Sequence, residues 1–136
     1  MASHANNGRR KKAAPFVMLP KYMVGCPAWR KMSGSALKVY CVVDSRFMGS
    51  NNGQISLSVR EAAEAAGLAI GTARKALAEL QELGFIRCHM KGSYSLKIRH
   101  ASEWEITVRP LASGKPAKKT FMSWHPILKK NNGSNI

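Results

Sequence analysis

The residues able to carry out catalysis or bind a metal ion are scattered along this sequence. The histidines and cysteines have none of the spacings typical of metal ligands. Four of the seven acidic residues lie between residues 57 and 86, without the paired carboxylates of a two-metal site. A glycine-rich phosphate-binding loop with a lysine is also missing. We therefore predict that the chain is not an enzyme and has no metal ion or cofactor. The histidines and cysteines are His4, His89, His100, His125, Cys26, Cys41 and Cys88.

The basic residues indicate a different chemistry, the binding of a polyanion. The chain has 22 Lys and Arg against seven Asp and Glu, for a net charge of +15. Such an excess favours DNA or RNA, and less often an anionic membrane surface. No apolar run approaches the roughly twenty residues of a membrane-spanning helix, and the first residues lack a secretory signal. The cysteines include no CxxC pair, which is typical of reduced thiols. We expect a cytoplasmic, nucleoid-associated protein.

The 136 residues are most simply one domain with two basic extensions. Residues 1–14 and the end of the chain are polar and charged, so they can bury little apolar area. We predict a disordered basic arm over 1–14, a folded domain over 15–110, and a basic tail over 111–136. In this tail Phe121 and Trp124 form an apolar pair, an aromatic docking motif that could contact the domain, a second subunit or another protein.

The first part of the domain gives weak local signals. Residues 15–32 contain three prolines and little periodicity, which indicates an arm with a short strand or turn. Residues 33–49 are predicted to form a helix that Ser33 or Ser35 caps and Gly49 ends. The segment QISLS then alternates polar and apolar residues, as a short half-buried strand does.

The next two helices have clear boundaries. Ser58 and Glu61 have the spacing of a capping box, and Gly67 is placed to end the helix that they begin. Gly71 or Thr72 opens the following helix, and Gly84 closes it. Two short helices that face each other through small residues can cross steeply, as in a helix-turn-helix, although an ordinary helical hairpin fits the same pattern. The apolar stripes are Val59, Ala62, Ala63 and Ala66 in the first helix, and Ala73, Ala76, Leu77, Leu80 and Leu83 in the second.

Residues 85–109 follow this helix pair with two strand-like runs and a basic loop. The first run covers residues 85–90. The second has Trp104, Ile106 and Val108 on one face. A strand, a basic loop and a returning strand directly after a helix-turn-helix make a wing.

The segments QISLS, SVREAAEAAG, LAIGTARKALAEL and QELGFI resemble those of winged helix-turn-helix domains over roughly residues 33–110. Similar patterns occur in bacterial regulators of the GntR and MarR type, in plasmid and phage replication initiators, and in regulators on mobile elements. The resemblance implies an α+β fold in the order helix, strand, helix, helix, strand, wing and strand. GntR-type proteins add a large effector domain and MarR-type proteins add long dimerisation helices, and we expect neither within these 136 residues.

The resemblance also implies which residues contact DNA. The recognition helix, residues 71–83, would read the major groove with Thr72, Arg74 and Lys75. The wing would reach the backbone or minor groove with Lys91, Lys97 and Arg99. The start of the preceding helix would hold a phosphate through Ser56, Ser58 and Arg60. Flexible arms would add affinity without sequence information through Arg9, Arg10, Lys11, Lys12, Lys115, Lys118 and Lys119.

We expect a sequence-specific double-stranded DNA-binding protein, a transcription regulator of bacterial or phage type that acts as a homodimer. A homodimer is expected because one small module buries only about 600–1,000 Å² on DNA. One alternative is a replication-initiator or excisionase-like architectural protein of a mobile element. Another is a winged helix that binds protein or RNA, because the same fold serves these roles.

Overall fold

The computed structural model describes residues 14–94 and 99–126, with the backbone alone for 93–94 and 99–100. The predicted α+β class is confirmed. Within these residues the chain forms five α-helices, one 3₁₀ helix and five short strands. In chain order the elements are α1 (Lys21–Val24), α2 (Pro27–Lys31), α3 (Gly34–Ser45), β1 (Ile55–Ser56), α4 (Val59–Ala66), α5 (Ile70–Leu83), β2 (Ile86–Met90), β3 (Ser93–Tyr94), β4 (Arg99–His100), β5 (Glu103–Ile106) and the 3₁₀ helix Thr120–Ser123.

The main sheet has three antiparallel strands in the order β1–β5–β2. Ile55 of β1 pairs with Trp104 of β5, and Ile86 of β2 pairs with Ile106. The register shifts between Cys88 and Met90, a bulge that places one extra residue in β2. The chain between β2 and β5 carries the antiparallel pair β3–β4. It therefore forms an extended hairpin at one end of the sheet.

The helix prediction for residues 33–49 is correct at its start and wrong at its end. The hydroxyl of Ser33 accepts a hydrogen bond from the backbone N–H of Ala36, as an N-cap does. The helix ends at Ser45, before Gly49. The Asn51 side chain accounts for this early end, because it donates to the carbonyl of Arg46 and accepts from the N–H of Met48. These bonds hold the chain in a turn.

The prediction of an arm with a short strand or turn over residues 15–32 is correct only for a turn, which lies at Gly25 between α1 and α2. This segment is described throughout, and it forms these two helices and no strand. Proline is tolerated in the first turn of a helix, where its missing N–H has no partner to lose. Pro27 occupies that position in α2. Met23, Cys26 and Ala28 are buried in the core. Contacts with the rest of the domain therefore hold these short helices, which have little periodicity of their own.

The helix pair α4–α5 agrees with most of its local signals. Ser58 and Glu61 form the full capping box, and Gly67 ends α4 with a φ of 69°. The five apolar residues predicted for α5 are all buried. The predicted start of α5 at Gly71 or Thr72 is wrong, since the helix begins at Ile70 after Ala69, which makes no side-chain cap hydrogen bond.

The predicted domain boundary at residue 110 excludes a core residue. Phe121 is fully buried and stacks on Phe85 with ring centroids 4.9 Å apart. The backbone N–H of Lys119 donates to the carbonyl of Thr107 at 2.8 Å. The described part of the tail is therefore packed on the domain. Among the described residues, no helix has the length and apolar character needed to cross a membrane.

Candidate nucleic-acid interface

The exposed side of α5 holds the three residues predicted to contact bases. Thr72, Arg74 and Lys75 are exposed, while the opposite side of the helix packs in the core against α3 and α4. Ile70, in the first turn, is 40% exposed, which is unusual for a large apolar side chain in a helix that is otherwise well packed. The N-terminal half of α5 thus leaves two cations, a hydroxyl and an apolar side chain exposed to solvent.

A groove of about 460 Å³ runs along α5 from Lys75 to Leu83 and includes a wall from α2. Two acids of α5, Glu79 and Glu82, are part of its lining. Lys31 of α2 lines the groove together with Lys75 of α5, and Trp124 lines it as well. A smaller cleft of about 270 Å³ next to it includes Arg30. The sequence analysis missed Arg30 and Lys31 as contact candidates, because the segment that contains them was interpreted as an arm.

Glu79 does not face the groove as a free acid. One of its carboxylate oxygens accepts from the backbone N–H of Ser33 at 2.6 Å, and the other accepts from the Ser33 hydroxyl at 2.9 Å. Glu79 therefore links α5 to the N-terminus of α3, where a negative charge is favourable. Both carboxylate oxygens are thus partnered by Ser33 at the surface of the protein.

The start of α4 contains one free cation. The hydroxyl of Ser58 accepts from the N–H of Glu61 at 3.0 Å and so acts as a cap. The Ser58 backbone N–H donates to the Glu61 carboxylate, and this hydrogen bond lowers the pKa of Glu61. Arg46 lies 3.6 Å from the same carboxylate and also donates to the carbonyl of Ser56. Arg60 is exposed and has no ion-pair partner among the described residues. It is the residue of this group best placed for a phosphate.

The predicted wing contacts are only partly described. Lys91 is exposed at the base of the β3–β4 hairpin, and Arg99 lies in β4 with its backbone alone described. Lys97 lies outside the described residues. The N-terminal arm residues Arg9, Arg10, Lys11 and Lys12 also lie outside them.

The prediction of a flexible C-terminal arm is wrong for two of its three lysines. Lys118 donates to the carboxylate of Glu105 at 3.3 Å. The ammonium of Lys119 lies 4.8 Å from the centroid of the Tyr22 ring, a cation–π distance. Lys115 is exposed and lies against the sheet. All three belong to the packed segment that precedes Phe121.

A second cationic surface covers the outer face of the sheet. Glu105 has no exposed surface, and its carboxylate contacts His89 at 2.6 Å as well as Lys118. The other Glu105 oxygen has no hydrogen-bond partner among the described residues. An adjoining cleft of about 660 Å³ includes His89 and Lys118 in its lining. This surface has no local signal in the sequence, because it depends on contacts of Glu105 with His89 and Lys118, which are 16 and 13 residues away in the chain.

Arg109 is a cation that serves the fold. Its guanidinium makes two hydrogen bonds to Asp44, at 2.7 and 3.0 Å, and these raise the pKa of Arg109. Asp44 is buried and also accepts from the backbone N–H of Met18. The positive charge of Arg109 is therefore paired with Asp44 inside the domain and is not counted among the candidate DNA contacts.

The described residues contain no group of three or more His, Cys, Asp or Glu side chains placed to hold a metal ion. Comparison of the chain with protein-family models, with curated proteins and with solved structures found no match.

Proposed function

We propose that this chain is a sequence-specific double-stranded DNA-binding protein of the winged helix-turn-helix type, with a role in transcription regulation. In this proposal α5 enters the major groove and the β3–β4 hairpin is the wing. The single observation that carries the proposal is the division of α5 into two sides. Its apolar side is buried against α3 and α4, and its exposed side presents Thr72, Arg74 and Lys75.

The chemistry of these three side chains suits the major groove. An arginine can donate two hydrogen bonds to a guanine, and a lysine can donate to a base or a phosphate. A threonine can contact a phosphate or the methyl group of a thymine. The Glu79 hydrogen bonds with Ser33 support the same proposal, because they partner the carboxylate of one of the two acids that line the groove. The other acid, Glu82, is exposed in the last turn of α5, about two turns beyond Arg74 and Lys75.

Cations around α5 are placed to position the helix on the DNA backbone. Lys31 of α2 lines the groove along α5, Arg30 lies in the smaller cleft next to it, and Arg60 lies at the start of α4. Contacts with phosphates fix the orientation of a protein on the duplex but carry little sequence information. We therefore assign discrimination to Arg74 and Lys75, and sequence-independent affinity to the surrounding cations.

The test is selection of bound sequences from a random duplex pool at about 150 mM salt, followed by affinity measurements with single variants. Replacing Arg74 with alanine should change the preferred sequence and cost about 1–3 kcal/mol on the best site. Arg60→Ala is the matched control, since it removes one exposed cation assigned to the backbone. It should weaken binding to all sequences alike and reduce the salt slope by about 0.9.

Two results would contradict the proposal. The first is an absence of sequence preference in the wild-type protein. The second is a uniform loss of affinity in Arg74→Ala, which would mean that α5 is not the reading helix. If the double variant Arg74→Ala, Lys75→Ala keeps full DNA affinity, α5 is not the helix that contacts DNA.

A further inference from the structure

The cleft on the outer face of the sheet is formed by three parts of the chain. Strand β2 contributes its floor, the turn before β1 forms one wall, and the segment after β5 forms the other. None of the residues that line it is acidic.

The carboxylate next to this cleft, that of Glu105, is contacted by two residues of the cleft lining. The carboxylate of Glu105 is fully buried and contacts His89 and Lys118, so its charge is engaged by residues of the cleft itself. Arg87 and Lys115 are exposed and have no ion-pair partner among the described residues. Arg87 and Lys115 of the cleft lining are therefore available to bind an anion, while the carboxylate of Glu105 already has a cationic partner in Lys118.

Polar groups beside these cations can donate hydrogen bonds to an anion. Gln54 and Ser113 are exposed in the lining. The side chain of Asn52 is committed elsewhere, since it bonds the backbone of Ile106 and of the residues that follow β5. The donors available to a ligand are thus a guanidinium, an ammonium, an amide and a hydroxyl, the groups that bind phosphate oxygens.

The cleft lies on the side of the sheet that faces away from α5. Ile86, Trp104 and Ile106 point from the strands into the core that the sheet shares with the helices. Arg87 and Glu105, which pair across β2 and β5, have the opposite orientation. A nucleic acid bound along the exposed side of α5 would therefore leave this cleft accessible.

We propose that the cleft binds the phosphate backbone of a second double-stranded DNA segment, so that one chain holds two segments on opposite sides of its core. This inference rests on the proposed function, because it takes duplex DNA as the partner. An extended backbone suits the cleft better than a small ligand does, since small-molecule sites enclose most of their ligand. Here Gln54, Arg87, Ser113 and Lys115 are all exposed. The contact is independent of sequence and sensitive to salt.

Bridging of two duplexes tests the proposal. A donor-labelled duplex that carries the selected site and an acceptor-labelled duplex of unrelated sequence are mixed with the full chain, and energy transfer reports their association. The double variant Arg87→Ala, Lys115→Ala should lose bridging by at least tenfold and keep its affinity for the selected site within about threefold. Its salt slope for the second duplex should fall by about 1.8, from roughly 0.9 per phosphate contact.

The matched control is Lys21→Ala, Lys38→Ala, which removes the same charge from exposed positions outside the cleft. It should bridge as the wild type does. Bridging that persists in the Arg87, Lys115 variant overturns the proposal, and light scattering would then show whether a dimer is responsible. Failure of the wild type to bridge, or an equal loss in the control, overturns it as well.

Failure of the proposed function has a different signature. In that case Arg74→Ala, Lys75→Ala would keep its affinity for a single duplex. If binding of that duplex then required Arg87 and Lys115, the cleft would be the principal DNA site and α5 would not be one. The two sets of variants therefore separate the reading helix from the cleft.

Discussion

Phe121 offers a direct test of how the segment after β5 belongs to the fold. Its side chain is fully buried and stacks on Phe85, and it also lies against Tyr22 with ring centroids 6.3 Å apart. Phe121→Ala leaves a cavity in the core that these rings share. The change removes apolar contact area, and the neighbouring residues can fill the space only in part.

The expected loss in the free energy of unfolding is about 3–5 kcal/mol, the range for a buried phenylalanine replaced by alanine. Part of this loss comes from aromatic stacking, which contributes roughly 0.5–1.5 kcal/mol beyond area burial. A domain of this size has only about 5–15 kcal/mol in total, so the loss would be conspicuous. Urea unfolding followed by circular dichroism and tryptophan fluorescence measures it, and the midpoint should fall with little change in slope.

Met122→Ala is the matched control, since Met122 is the next residue in the same 3₁₀ helix and is 42% exposed. It should change stability by no more than about 0.5 kcal/mol. A loss below about 1 kcal/mol for Phe121→Ala would refute the conclusion that this segment is part of the core. A loss of equal size in both variants would indicate a general effect on the 3₁₀ helix.

Two further predictions concern backbone geometry and charge. Gly84→Ala should lower the free energy of unfolding by roughly 2 kcal/mol or more, because Gly84 has a φ of 89° and an added Cβ would lie 2.8 Å from the backbone nitrogen of Phe121. The midpoint of urea unfolding should therefore drop. The control is Gly71→Ala, which has open space at its Cβ and should be neutral or slightly stabilising. Glu61→Gln should lower stability at pH 7 by up to about 1 kcal/mol, and because the pKa of Glu61 is lowered in the fold, the difference from wild type should close as the pH falls through that pKa. Unfolding curves from pH 7 to pH 2 measure this effect, and a difference that stays constant over that range would show that the charge of Glu61 is not responsible.

The region around α4 and α5 was largely predictable because its signals are local. A capping box operates over three residues, and a helix-ending glycine acts through its own φ. The apolar stripe of α5 follows the 3.6-residue period of one helix. Each of these features depends on residues within about three turns of one helix. The start of α5 at Ile70 was missed because the helix begins without a capping side chain.

The segments at both ends of the domain were not predictable in the same way. Helices α1 and α2 are each too short to have a periodic pattern, and their buried residues are held by contacts with the rest of the domain. Phe121 lies in a lysine-rich segment whose composition is typical of an exposed tail. Its burial depends on a space above Gly84 that exists only when the helices and the sheet have assembled.

The sequence by itself determined the helix pair, the buried side of α5, and an excess of positive charge that points to a polyanion. Only the tertiary structure decided where that charge can act. It brings Lys31 and Lys75 into the lining of one groove and engages Glu79 with Ser33, 46 residues away in the chain. It also buries Glu105 beneath Lys118 and leaves Arg87 and Lys115 free on the far side of the sheet. The reason is physical: the energy of a charge depends on its distance from other charges and on its exposure to water. Both quantities are set by residues that are distant in sequence.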